Sequence, residues 1–145
     1  MVLGDYKVDE DAALERPTRV SLIDTEKAKL TLVDLPSSYT FRSLGRGPKG
    51  EALVLGTDGK LHVIDPTSGR ITTSLALMAA WTEPDEWQSP RPTLTVSGDI
   101  AYVSDPATKS IMSVDLTKDA VITKATLSAA PNELAVATGT VEDRR

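Results

Sequence analysis

Leu61-His-Val-Ile-Asp65 decides how this chain folds, because close copies stand at Val20-Ser-Leu-Ile-Asp24 and Ile111-Met-Ser-Val-Asp115. Six residues beyond each aspartate comes an aliphatic residue, Leu30, Ile71 or Val121. The three aspartates are 41 and 50 residues apart. A period of roughly 40–50 residues built from short strands is the pattern of propeller blades, small sheets that bury their faces against one another. A closed ring takes about 4–8 blades. The repeat therefore predicts an all-β fold, a β-propeller-type repeat of antiparallel four-stranded blades forming an incomplete ring. The chain is then a piece of a longer propeller or a stack completed by association.

Turn chemistry divides the chain. A blade is predicted over 39–77, with strands Tyr39–Leu44, Glu51–Gly56, Lys60–Asp65 and Arg70–Leu77, and a type I′ hairpin at Asp58-Gly59. The apolar run Ala52-Leu-Val-Leu55 suits a strand buried on both faces. A second blade is predicted over 91–130, with strands Arg91–Val96, Ile100–Ser104, Ser110–Asp115 and Ala120–Leu127. Residues 1–38 read as a partial blade with an acidic insertion, Asp9–Arg16, that forms a loop or one helical turn. Residues 131–145 read as the start of a further blade, with a first strand in Asn132–Ala137, and a tail. Between the two blades, 78–90 is an insertion carrying both tryptophans, Trp81 and Trp87, beside Glu83, Asp85 and Glu86; a helical turn over Leu75–Trp81 is possible there.

Composition narrows the functional classes. Sixteen basic against 21 acidic residues give a net charge of −5. With no basic stripe, a surface that follows nucleic-acid phosphates is excluded as a reading, and a cationic partner or metal suits the sign. There is no cysteine, hence no disulfide, thiolate nucleophile or finger-type zinc site. No membrane span is expected, and the sequence from Met1 shows no secretory signal.

Few residues offer chemistry. His62 is the single histidine, and its repeat equivalents are Ser21 and Met112, so a blade does not require an imidazole there. It reads either as a packed strand histidine or as a zinc ligand. Asp24, Asp65 and Asp115 read as turn-capping carboxylates or as a triplicated cation site, and recurrence in every unit favours the turn. In the insertion, Trp81, Glu83, Asp85, Glu86 and Trp87 form a partner-binding surface in one reading and a plug between blades in the other. No nucleophile has a base beside it in sequence, so no enzyme is expected.

Gly56-Thr-Asp-Gly-Lys-Leu-His-Val-Ile-Asp-Pro66, Glu86-Trp-Gln-Ser-Pro-Arg-Pro92 and Gly98-Asp-Ile-Ala-Tyr-Val-Ser-Asp-Pro106 through Pro131-Asn-Glu-Leu134, in that order, resemble the carboxyl-terminal part of the AztD-like zinc metallochaperones. The resemblance covers roughly Tyr39 to Gly139. It implies an extracytoplasmic propeller that binds zinc and delivers it to the solute-binding protein of a zinc ABC importer. It also implies zinc in the parent protein, with His62 as this chain's metal-binding candidate. The competing expectation is a non-catalytic, metal-free interaction scaffold. As a fragment, the chain is expected to form a homo-oligomer.

Overall fold

The computed structural model describes residues 1–4 and 16–137. Among these, the regular elements are all strands. The first sheet holds β1 (Val2–Gly4), β2 (Arg19–Asp24) and β3 (Lys29–Asp34), in that spatial order. The second holds β4 (Leu44–Arg46), β5 (Ala52–Leu55), β6 (Lys60–Asp65) and β7 (Arg70–Ala76), again in chain order. The third holds β8 (Thr93–Ser97), β9 (Ile100–Asp105), β10 (Ser110–Asp115) and β11 (Ala120–Thr126). Every pairing is antiparallel. These are blades of the propeller type, and they do not close a ring.

The second sheet is the middle of the stack. Side chains alternate between faces along a strand, so Ala52, Val54 and Ile64 pack with Val20, Leu22 and Val33 of the first sheet. Leu53, Leu55, Leu61 and Val63 pack with Leu94, Val103, Met112 and Val114 of the third. This is why Ala52-Leu-Val-Leu55 has no polar member: all four residues are buried. Outer strands read differently, and every residue of β11 is exposed. The outward face of the first sheet leaves Leu30 and Leu32 exposed.

One turn design recurs. Asp24, Asp65, Asp105 and Asp115 each accept a hydrogen bond from the backbone N–H two residues on. Four residues after each aspartate the backbone enters the left-handed region, at Ala28, Gly69, Lys109 and Asp119. Only one of these four is glycine. The repeat therefore enforces the turn through the carboxylate cap, and three turns tolerate a side chain at positive φ.

Several expected boundaries moved. At the β5–β6 connection Asp58 has no positive φ, whereas Gly59 does (φ 78°), and Gly59 N–H donates to Gly56 O at 3.0 Å. The loop is thus a four-residue turn ending on a left-handed glycine rather than a type I′ pair. Residues 39–43, expected as a strand start, form a turn that buries Tyr39, Thr40 and Ser43 and leaves Phe41 exposed. Tyr39 Oη donates to Arg19 O at 2.6 Å, and Arg42 O accepts from Leu94 N–H at 2.9 Å, tying the second blade to the third. No helical turn forms over Leu75–Trp81, because the N–H groups of Leu77 and Met78 both donate to Gly59 O. Asn132–Ala137 forms no strand; the carbonyls of Asn132 and Leu134 accept from the side chains of Arg42 and Thr95 rather than from a ladder of backbone N–H groups. Of the acidic insertion at Asp9–Arg16, all but Arg16 lies outside the described residues, as does 138–145.

The turn design predicts opposite signs for two reciprocal substitutions. Gly69→Ala should lower stability by about 1 kcal/mol, and Ala28→Gly should leave it unchanged or raise it by a few tenths of a kcal/mol, since glycine alone holds that conformation without strain. Urea denaturation of both variants checks this.

Candidate functional site

The three repeated aspartates do not converge. Asp24, Asp65 and Asp115 each cap their own turn, and those backbone and hydroxyl donors hold their carboxyls below the ordinary range. At Asp115 the leading donor is the Thr117 hydroxyl, 2.6 Å away. The turn reading accounts for them fully.

His62 sits on β6, opposite Ser74 on β7 and Val54 on β5. Alternation turns it, with Ile64, toward the first sheet, and it is 1% exposed. Its Nδ1 lies 2.8 Å from Ser74 Oγ. Its Nε2 lies 3.1 and 3.3 Å from the two oxygens of Asp58, which the β5–β6 turn delivers over the ring. An ionised carboxylate only accepts, so Nε2 carries the hydrogen, and in a neutral ring the Ser74 hydroxyl donates to Nδ1. A third polar atom, Ser37 Oγ, completes the surroundings. A carbon placed on Gly56 would overlap Ser37 Oγ and Asp58 Oδ1 and lie 3.2 Å from His62 Nε2. Gly56 is required there because Ser37 Oγ and Asp58 Oδ1 already occupy the place that a side chain would take.

Ser74, His62 and Asp58 therefore form a hydrogen-bonded row, which the sequence did not reveal because the serine comes from across the ladder. Neither the cavity lined by Leu22, Asp24 and Thr67 nor the groove lined by Phe41 and Leu134 touches any of the three. Among the described residues, no cluster of three His, Asp or Glu side chains is placed to hold a metal ion. A closed zinc centre takes four ligands, and Asp58 with His62 supplies two.

The tryptophan insertion splits into a buried part and an exposed part. Trp81 is pinned on the second blade, its Nε1 donating to Gly56 O at 3.2 Å and its backbone N–H to Thr57 O at 2.8 Å. Glu83 is buried and accepts from Arg91 Nη1 at 2.9 Å. Burial raises the Glu83 carboxyl above its ordinary range, with Arg91 opposing. Arg91, 1% exposed, also donates through Nη2 to the carbonyls of Glu86 and Trp87. Asp85 and Glu86 face solvent, and Asp85 sits 3.5 Å from Arg16.

Held this way, Trp87 stacks on Phe41, with ring centroids 4.5 Å apart and planes within 8°. The two rings are 68% and 51% exposed. Arg42 and Arg91 place their guanidinium carbons 5.1 and 5.5 Å from the Phe41 centroid. Beside them runs a shallow groove of about 330 Å³ at the inner strands β4 and β8, lined by Phe41, Leu44, Leu94 and Leu134, with Arg42 and Glu133 at its margin. Phe41 and Arg91 escaped sequence reasoning: 41 reads as part of a strand and 91 as a strand start. The only available signal was an arginine set between two prolines immediately after the tryptophan insertion.

No family model matches the chain. It is 31% identical over 102 residues to the zinc chaperone AztD of Citrobacter koseri, an alignment covering 70% of this chain. The solved structure of apo AztD from Citrobacter koseri superposes with a TM-score of 0.71 at 28% identity over 80% of this chain. The chain resembles AztD. It spans 24% of that curated relative's length and 32% of the solved apo chain. The WD40 domain of Neurospora crassa Pan2, at TM-score 0.54 and 15% identity, covers 80% of this chain and 35% of its own, and it shares the fold alone. Among the described residues, no helix is long and apolar enough to cross a membrane.

The Arg91–Glu83 pair should govern the aromatic ledge. Glu83→Ala leaves a guanidinium buried without its carboxylate and is expected to cost about 3–5 kcal/mol. The amide of Glu83→Gln still accepts from Arg91 and should cost less. Guanidinium denaturation followed by tryptophan fluorescence measures both.

Proposed function

We propose that this chain is part of a zinc-handling propeller that acts outside the cytoplasm and passes zinc to the solute-binding protein of a zinc importer. The observation that carries the reading is the 31% identity to a zinc chaperone over 70% of the chain. The role is non-catalytic. The sheets act as a scaffold, and zinc is cargo.

Of the residues proposed for partner contact, Trp87, Asp85 and Glu86 keep that role. Glu83 supports it through Arg91, Trp81 is fixed on the Gly56–Thr57 turn, and Phe41 joins it. A rigid, exposed aromatic pair backed by a buried arginine has the make-up of an interface anchor, since large rings gain contact area at little entropic cost. The same pair favours the second reading, a metal-free interaction scaffold, in which partner binding is independent of zinc. Homo-association through the exposed Leu30 and Leu32 face is part of the proposal, because apolar sheet faces of this kind tend to be covered by another sheet.

The readings separate when zinc-loaded protein is mixed with metal-free solute-binding protein in the presence of a chelator that traps free zinc. Direct transfer predicts zinc arriving at the acceptor despite the trap, slowed by Trp87→Ala or Phe41→Ala with the donor's zinc content unchanged. Zinc found only in the chelator refutes transfer. Acceptor binding that persists without zinc, together with no transfer, selects the scaffold.

A further inference from the structure

We propose that two copies of this chain exchange a strand: residues 132–137 of each add to the inner edge of β1 in the other, closing a ring of six sheets. The inference rests on the homo-association named above and says what meets the Leu30 and Leu32 face. The repeat shows a gap and a spare part that match.

The gap lies in the first sheet. Val2 pairs with Leu22, Leu53 with Val63, and Tyr102 with Ser113. Leu22, Val63 and Ser113 each stand two residues before a capping aspartate, so β1 is the counterpart of β5 and β9, the second strands of their sheets. β5 and β9 are each flanked by an inner strand, β4 or β8, whereas among the described residues β1 pairs with β2 alone. The inner edge of β1 thus presents backbone N–H and C=O groups that an added strand would satisfy.

The spare part is 132–137. Leu134 follows Leu94 by 40 residues, as Leu94 follows Leu44 by 50, and both earlier leucines sit in inner strands. Leu134 and Val136 also repeat the spacing of Leu94 and Val96. Yet this copy of the inner strand has no ladder. Its carbonyls at Asn132 and Leu134 accept from the Arg42 and Thr95 side chains, and among the described residues its backbone N–H groups have no partner.

Gap and spare part cannot meet within one stack, because two complete blades stand between them. Each chain supplies three sheets, so two copies give six, inside the range of about 4–8 that closes a ring, and three copies give nine, outside it. A head-to-tail contact of this kind ends in a closed assembly once the rotation completes the circle. Closure also sets Leu30 and Leu32 of one copy against the half-buried Tyr102 and Ile111 of the other, which lie on the face of the third sheet opposite Met112 and Val114. The register follows from the other sheets. Gly45 is opposite Leu53 and Thr95 opposite Tyr102, each being the residue after its leucine, so Ala135 of one copy is expected opposite Val2 of the other.

The chain has no cysteine, so an engineered pair reports this register without background. Directly opposed strand residues have Cα atoms about 5.5 Å apart, within reach of a disulfide. Oxidised Val2→Cys/Ala135→Cys protein should run as a covalent dimer, whereas Val2→Cys/Glu133→Cys, two residues out of register, should not. Light scattering of the unaltered chain should give the mass of two chains. Ala135 is exposed and outside any strand, so Ala135→Pro removes only the N–H needed for the exchange and should raise the dimer dissociation constant about tenfold or more. A dimer in solution that gives no Val2–Ala135 cross-link would refute the exchange and leave association through Leu30 and Leu32 standing. Equal cross-linking of the two cysteine pairs would refute it too, and a monomer up to about 1 mM chain would refute exchange and association together. The zinc reading is untouched by either result.

Discussion

The structure depends on one constraint: the second sheet must be covered on both faces. Ala52-Leu-Val-Leu55 contains nothing that tolerates water, and a strand of this kind is stable only between two other sheets. The first sheet supplies Val20, Leu22 and Val33 on one side, and the third supplies Val103, Met112 and Val114 on the other. The outer strands carry no such demand, so β11 is exposed along its whole length, Val121 and Ile122 included.

The same coverage sets the chemistry of both candidate sites. His62 lies in a dry layer, where an unpaired ring nitrogen would be costly. Ser74 and Asp58 meet that need on opposite sides of the ring. Because the pairing is satisfied within the protein, the histidine is structural at rest, and any metal must compete with a hydrogen bond already made. Arg91, just ahead of β8, follows the same logic. Its burial is compensated by Glu83 and two backbone carbonyls, although its Nε has no partner among the described residues. In return, the loop carrying Trp87 is fixed against Phe41.

Much of the fold was legible because it is written three times. β6 and β10 begin and end where the repeat places them, and the capping aspartates were readable from recurrence alone. What failed to show was what depends on contacts between distant residues. Residues 39–43 look like a strand, yet Tyr39 is recruited by Arg19 of the first sheet. The Asp58-Gly59 pair looks like a two-residue hairpin, yet the backbone places only the glycine in the left-handed region. The sites were less legible still. The insertion drew attention to both tryptophans as one surface, whereas burial divides them, and Phe41 is brought to Trp87 only by tertiary packing. The Ser74–His62 bond is a cross-strand pair fixed by register, which no motif records.

The claim on which all of this rests is that the second sheet is the protected centre of a three-sheet stack. Native-state hydrogen exchange tests it most directly, since amides buried in the stack open only with global unfolding. The hydrogen-bonded amides of Ala52–Leu55 and Leu61–Ile64 are expected to be the slowest in the chain, and those of Ala120–Thr126 among the fastest of any strand. Exchange of the second sheet as fast as that of the third sheet's outer strand would contradict the account.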